Sequence, residues 1–345
     1  MSSRTHVPRL VSTWLRWHVI PLLFLFPLFP APAAVIEGDN AGVLRNAVLQ
    51  NTAARQRVQS YIINQERSDL EPYQVDRPFD ASAAADGLPA GPPPEDITRT
   101  SSMKIIKKGE RYLLTRTQHA TVPSGKWEMS EFYQEVVNDH YYAFYMREPV
   151  HLIDLWDHPS IGQMGDPAKR FSSSGCPTAF DYAFGEPSHT LDKLLDESPE
   201  DVRWSLTEET LDGDKVLKIV KTRPIKDGRK WITNFYLDPN KDSLLRRMEL
   251  FSPKGTLNRL LTLELQYIEE AKAWFPKEIH YKDTPDGQLQ SEIKISVKNV
   301  QINPSLDDSL LRVESFDLLP NTRLHRHGAQ GGLTEYRFVN GQWVQ

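Results

Sequence analysis

Residues 231–315 read WITNFYLDPNKDSLLRRMELFSPKGTLNRLLTLELQYIEEAKAWFPKEIHYKDTPDGQLQSEIKISVKNVQINPSLDDSLLRVES. Apolar and polar residues alternate with period two through much of this stretch, which is the pattern of half-buried strands. Trp231, Thr233, Phe235 and Leu237 point one way, and Ile232, Asn234 and Tyr236 the other. Asp238-Pro239-Asn240 breaks this run, because proline cannot donate to a ladder and Asn and Asp favour turns. Leu244–Phe251 follows and ends at Pro253-Lys254-Gly255. Leu257–Ile268 places Leu257, Leu261, Leu263, Leu265 and Tyr267 on one face. Trp274–Asp283 closes at Pro285-Asp286-Gly287, and the last run alternates Ile293, Ile295 and Val297 against Glu292, Lys294 and Ser296. Five strands with short connections predict an antiparallel meander with one wet face and one apolar face.

Tyr236-Leu237-Asp238-Pro239, Trp274-Phe275-Pro276 and Asn303–Leu311, in that order and between those strands, resemble the second half of outer-membrane lipoprotein-sorting (LolA/LolB-like) proteins. The resemblance covers roughly the last third of the chain and lies in turns and strand ends. It implies a mainly β fold: a curved antiparallel sheet, an about eleven-stranded half-barrel, wrapped around an N-terminal helix. It also implies an apolar cavity that holds a lipid or a lipoprotein acyl chain, and a membrane-bound donor or acceptor protein as partner. Trp231, Phe235, Leu237, Leu263, Leu265, Phe275, Ile293 and Ile295 are the candidate lining positions. For each of them dry core is the plainer reading.

The chain has 345 residues, a formal net charge of −5 and a single cysteine. Weak acidity gives no case for nucleic acid, which requires a basic face. Residues 1–33 read as a secretory signal: Arg4, Arg9 and Arg16 precede the apolar run Val19–Phe29, and Ala31-Pro32-Ala33 is a small-x-small cleavage site. The protein is therefore expected to be exported, to the periplasm or beyond, with an uncleaved anchor as the alternative. Cys176 alone makes no internal disulfide, so the fold must rest on its core.

After the signal, Val43, Leu44, Ala47, Val48, Ala54 and Val58 recur at helical spacing from Asn40 to about Arg67, with Asp39 or Asn40 as N-cap. The resemblance places this helix in the hollow of the sheet. The switch to strand is expected within Val58–Gln65. Ser68–Glu95, with Gly91-Pro92-Pro93-Pro94, reads as a long surface loop. Strands resume at Met103, and Asn138-Asp139 marks a hairpin between Glu131–Val137 and His140–Met146. His151–Leu195 reads as an irregular crossover with a short helix over Ser188–Leu195. Beyond it, Val202–Thr207 and Lys215–Lys221 are strands, and Leu319–Gln345 an appended hairpin around Asn340-Gly341. The organisation predicted is a signal (1–33), one domain (34–318) with insertions at 68–95 and 151–195, and a C-terminal appendage (319–345).

Chemistry has few candidates. His151, Asp154, Asp157 and His158 could in principle bind zinc or run acid–base work, yet their spacing matches no ligand set and no His-Glu-x-x-His is present. His325-x-His327 offers two imidazoles on one strand face, too few for a metal site. Asp307-Asp308 could attract calcium but reads as a turn and cap. Gly-x-Ser-x-Gly, phosphate-cradling loops and Cys-x-x-Cys are absent from the sequence. The reading is a non-enzymatic envelope protein with no cofactor and no metal, binding a lipid or acyl chain. The alternatives are an envelope sensor or interaction module with a filled core, and an extracytoplasmic hydrolase using His151, Asp154 and His158.

Overall fold

The structure is a computed structural model that describes residues 35–36, 40–73, 95–147, 151–157, 178–186, 189–196, 199, 201–328 and 332–345. The signal expected over 1–33, Cys176 and His158 lie outside the described residues.

In chain order, β1 (Val35–Ile36) precedes the helix α1 (Ala41–Arg57). A first meander follows: β2 (Ser60–Glu71), β3 (Ile97–Lys108), β4 (Arg111–Thr121), β5 (Glu128–Val137), β6 (Tyr141–Met146) and β7 (Leu152–Asp157). The crossover contains a 3-10 turn over Asp181–Phe184, the two-residue strands β8 (Gly185–Glu186) and β9 (His189–Thr190), and the short helix α2 (Leu191–Asp196). The second meander is β10 (Arg203–Leu211), β11 (Asp214–Pro224), β12 (Lys230–Asp238), β13 (Leu244–Phe251), β14 (Leu257–Ile268), β15 (Ala273–Asp283) and β16 (Ser291–Ile302). The tail supplies β17 (Arg323–His327), β18 (Leu333–Val339) and β19 (Gln342–Val344).

All of these strands except the β8–β9 pair join one open, curved sheet, seventeen strands among the described residues. Each meander pairs in sequence. The two meet where β16 runs antiparallel to β2, with Ile295 opposite Arg67 and Ile302 opposite Tyr61. β1 adds in parallel to β10 at one end. β17 adds in parallel to β7 at the other and carries β18 and β19. The mainly β, antiparallel fold is therefore the one expected, with more strands than eleven. Most of the excess lies at the ends of the sheet: β7 stands where a crossover was expected, β1 adds at one end, and β17, β18 and β19 of the tail add at the other. β2 also runs on to Glu71, opposite Ile97, which shortens the expected loop from its N-terminal side.

Helix α1 buries Leu44, Ala47, Val48, Asn51 and Ala54, the stripe a 3.6-residue period puts on one side. It ends at Arg57, well before Arg67. Asn40 takes the N-cap position without capping; its side chain instead donates to the Leu206 carbonyl at 3.3 Å. Asn51 Nδ2 donates to the carbonyls of Ser243 (2.8 Å) and Ala183 (3.4 Å), which ties the helix to the β12–β13 turn and to the crossover. The main core gathers α1, the inward residues of β2–β4 and β10–β16, and Phe180, Tyr182, Phe184, Leu191 and Leu195 of the crossover.

The opposite face is not uniformly wet. A second core lies on the outer side of β3–β7: Ile106, Leu113, Val136, Ala143, Tyr145, Ile153 and Leu155 are covered by Leu306, Leu311, Val313, Phe316 and Leu324. The segment after β16 thus turns back across the sheet. Asn138 Nδ2 donates to the Leu311 carbonyl at 3.1 Å, and the Tyr141 hydroxyl accepts from Val313 N at 2.9 Å. On β12 the outward Asn234 and Tyr236 are also buried, both donating to Glu249 Oε2 (3.1 and 2.9 Å).

Candidate functional site

The hollow of the sheet is the first place to look for a ligand, and it is filled. Phe235, Leu237, Phe275, Ile295 and Leu263 are buried in the main core; Leu265 and Ile293 are half-buried against it, and Trp231 is half-exposed on β12. The side chains that fill the space above them come largely from the crossover. Phe180 lies over Phe275 with centroids 5.6 Å apart and planes 19° from parallel, and it also meets Tyr61 (5.2 Å) and Phe184 (4.8 Å). Tyr182 reaches Tyr281 at 6.4 Å. This cover is organised internally: Asp181 accepts from Thr178 N and Oγ1, both at 2.8 Å, and Gln65 Oε1 accepts from Ala179 N at 3.1 Å. The sequence reading did not single out these residues. Phe180-x-Tyr182-x-Phe184 inside a turn-rich segment was the available signal.

Beside the core, β4 and β5 carry inward polar groups. Burial pushes the Tyr112 phenol well above its ordinary range, and the adjacent Glu135 pushes the same way. It stays protonated and donates to Glu135 Oε1 at 2.6 Å. Arg116 donates to the Tyr133 hydroxyl at 2.9 Å.

Two open clefts flank the hollow. One, about 900 Å³, lies on the outer face across β13–β16 and β2–β4. Glu66, Glu264, His119 and His280 in it are already paired with Lys298, Lys277, Ser130 and Glu292. Of the expected lining residues Leu263 and Ile295 border this cleft. The other, about 740 Å³, opens at the C-terminal end of α1, between Arg55, the β3–β4 turn and Asp192, and reaches Tyr61 and Phe180. It is the cleft that leads to the covered apolar face.

The structure also joins two clusters that are far apart in sequence. Parallel pairing of β7 with β17 sets His325 opposite Asp154 and His327 opposite Trp156. His327 Nε2 is 3.4 Å and His325 Nδ1 3.8 Å from the same Asp154 oxygen, and Arg326 holds Asp157 with both Nε and Nη2 at 3.1 Å. Two imidazoles thus approach one carboxylate oxygen, His327 within hydrogen-bond distance. Among the described residues no group of three or more His, Cys, Asp and Glu is arranged to hold a metal. His151 points elsewhere in function: its carbonyl accepts from Arg323 N at 2.9 Å to start the β7–β17 pairing. Asp307 caps the turn over Asp308–Leu311 by accepting from Ser309 N, and Asp308 pairs with Lys108 (2.7 Å) and Arg111 (3.2 Å).

The site this fold defines is thus a curved sheet with a covered apolar hollow and a cleft beside it. Solved structures to which this chain is similar include a domain described as an outer-membrane lipoprotein-sorting protein from Vibrio parahaemolyticus. It has 11% identity and a TM-score of 0.36, over 78% of this chain and 97% of that one. A DUF1329 family protein from Desulfovibrio piger has 12% identity and a TM-score of 0.40, over 79% and 98%. LprF from Mycobacterium bovis has 8% identity and a TM-score of 0.25, over 76% and 95%. No family model matches the chain, and no curated protein matches it in sequence.

Proposed function

We propose that this chain is a non-enzymatic binding protein of the cell envelope that takes one apolar chain, a lipid or the acyl group of a lipoprotein, into the hollow of its sheet. The observation that carries this reading is the cover. Phe180, Tyr182 and Phe184 belong to a short turn outside the sheet, yet they occupy the apolar face where an acyl chain would lie. Burying a chain of about ten methylenes returns about 8 kcal/mol. Uncovering the three large side chains Phe180, Tyr182 and Phe184 costs about 4.5–9 kcal/mol, at about 1.5–3 kcal/mol each. Exchange of cover for ligand is thus close to balanced. In a sorting role the ligand would pass from and to membrane-bound partner proteins.

A second reading, an interaction module or envelope sensor with a permanently filled core, is favoured by the complete burial of Phe235, Leu237 and Phe275. Native mass spectrometry of protein purified from its own envelope, before and after organic extraction, separates the two. The carrier gives a discrete lipid mass that extraction removes, and a Phe180→Ala/Phe184→Ala variant takes up more fluorescent fatty acid than the wild type. A bare polypeptide mass with no uptake by either protein overturns the carrier and leaves the module.

A further inference from the structure

The cleft at the end of α1 keeps charges of both signs once its ion pairs are set aside. Lys108 and Arg111 are taken by Asp308, and Arg111 also by Asp139 at 3.6 Å. Asp181 accepts two hydrogen bonds from Thr178. Among the described residues Arg55, Lys107, Glu110 and Asp192 line the same cleft and have no ion-pair partner within 4.0 Å. Lys107 stands directly opposite Tyr61 in the β2–β3 register and so shares its inward face. The Tyr61 hydroxyl is buried next to Thr178, with no hydrogen bond of good geometry among the described residues. A buried hydroxyl without a partner is costly, and a polar ligand atom would satisfy it. Past this point the floor turns apolar, with Val58 and Phe180 leading into the main core.

Arg55 and Lys107 beside Glu110 and Asp192 around a polar mouth, with an apolar floor behind, fit a head group that carries both signs on an acyl chain. We propose that this cleft receives the head of a zwitterionic phospholipid of the phosphoethanolamine type. Arg55 and Lys107 hold the phosphate through charge-assisted hydrogen bonds, which are stronger than neutral ones. Asp192 and Glu110 hold the ammonium, and the Tyr61 hydroxyl meets the glycerol–ester end of the chain. This assignment rests on the acyl-chain reading above and adds the class of head group to it.

The test uses the full chain and three single-chain lipids of equal acyl length, below their micelle-forming concentrations: lysophosphatidylethanolamine, lysophosphatidylglycerol and monoacylglycerol. Lysophosphatidylethanolamine is expected to bind about tenfold tighter than monoacylglycerol, a difference of about 1.4 kcal/mol. Arg55→Gln/Lys107→Gln should abolish that advantage, and Arg55→Lys/Lys107→Arg should keep most of it. Glu110→Gln/Asp192→Asn should abolish the preference for ethanolamine over glycerol. Monoacylglycerol binding should be unchanged in every variant. Equal affinity for the three lipids, or variants that leave the preferences of the wild type intact, overturns the head-group site while the acyl-chain reading stands. Binding of none of the three by the wild type overturns both.

Discussion

Asn303 reaches back to Arg57: its Nδ2 donates to the Arg57 carbonyl at 2.8 Å, across most of the chain's length. Its Oδ1 accepts from Gln59 N (2.8 Å) and Ser60 N (3.1 Å), so one side chain fastens the junction between α1 and β2 to the end of β16. Asn303 also sits at φ 51°, a conformation asparagine tolerates better than most residues. Asn303→Ala loses the three bonds and strains the backbone, at a cost of about 2–3 kcal/mol in urea unfolding. Asn303→Gly loses the same bonds without the strain and should recover about 1 kcal/mol of that cost. Equal stability of the alanine variant and the wild type would remove Asn303 from this role.

Phe316 lies on Tyr145 with centroids 6.1 Å apart and planes 21° from parallel, and both are buried in the outer core. Truncating a packed phenylalanine to alanine costs about 3–5 kcal/mol. Phe316→Ala should therefore lower the urea midpoint strongly and raise binding of a hydrophobic dye, by baring the face made of Ile106, Val136 and Ile153. A cost below about 1 kcal/mol, the size of an ordinary surface change, would mean the segment after β16 is not part of the core.

Glu292 gives the expected dependence on acid. Burial works to raise its carboxyl, but the hydrogen bond from His280 (2.5 Å) and the ammonium groups of Lys282 and Lys294 outweigh that and hold it below the usual carboxylate range. A carboxylate depressed in the folded state adds stability above the unfolded carboxyl's value and loses it as pH falls through the folded one. Glu292→Gln should be less stable than the wild type near neutral pH, by about 0.3–1 kcal/mol. The gap should close below about pH 4, where the free carboxyl is protonated in the unfolded chain. Urea midpoints of the two proteins across that range read the effect directly, and a gap independent of pH would contradict it.

Period-two alternation from Trp231 onward was enough to place β12–β16, and proline, glycine and Asx residues marked their turns. The helical spacing of Leu44, Ala47, Val48 and Ala54 placed α1. Pairing between distant strands leaves no such mark, so the junction of β16 with β2 and the meeting of Asp154 with His325 and His327 were not legible. The outer core was hidden for a related reason. Ile106, Leu113 and Val136 alternate like any strand residues, and only the returning segment Leu306–Phe316 shows that their side of the sheet is dry. Of the candidate site, the apolar strand faces were legible. The cover was not, because Phe180, Tyr182 and Phe184 sit in a segment with no strand or long-helix period.

The pairing of β2 with β16 fixes an order of assembly. β2 through β7 emerge first and can zip together as neighbours, but the other side of β2 stays bare until the chain has been delivered as far as Ile302. Contacts this distant in sequence close late and slow the search for the native state. In the interval β2 offers an unpaired ladder edge beside apolar Tyr61 and Ile63, which is the kind of surface on which chains stick to one another. A chain interrupted before its last long strand would thus be not merely incomplete but adhesive, and its safe maturation depends on holding that edge apart from other chains until β16 arrives.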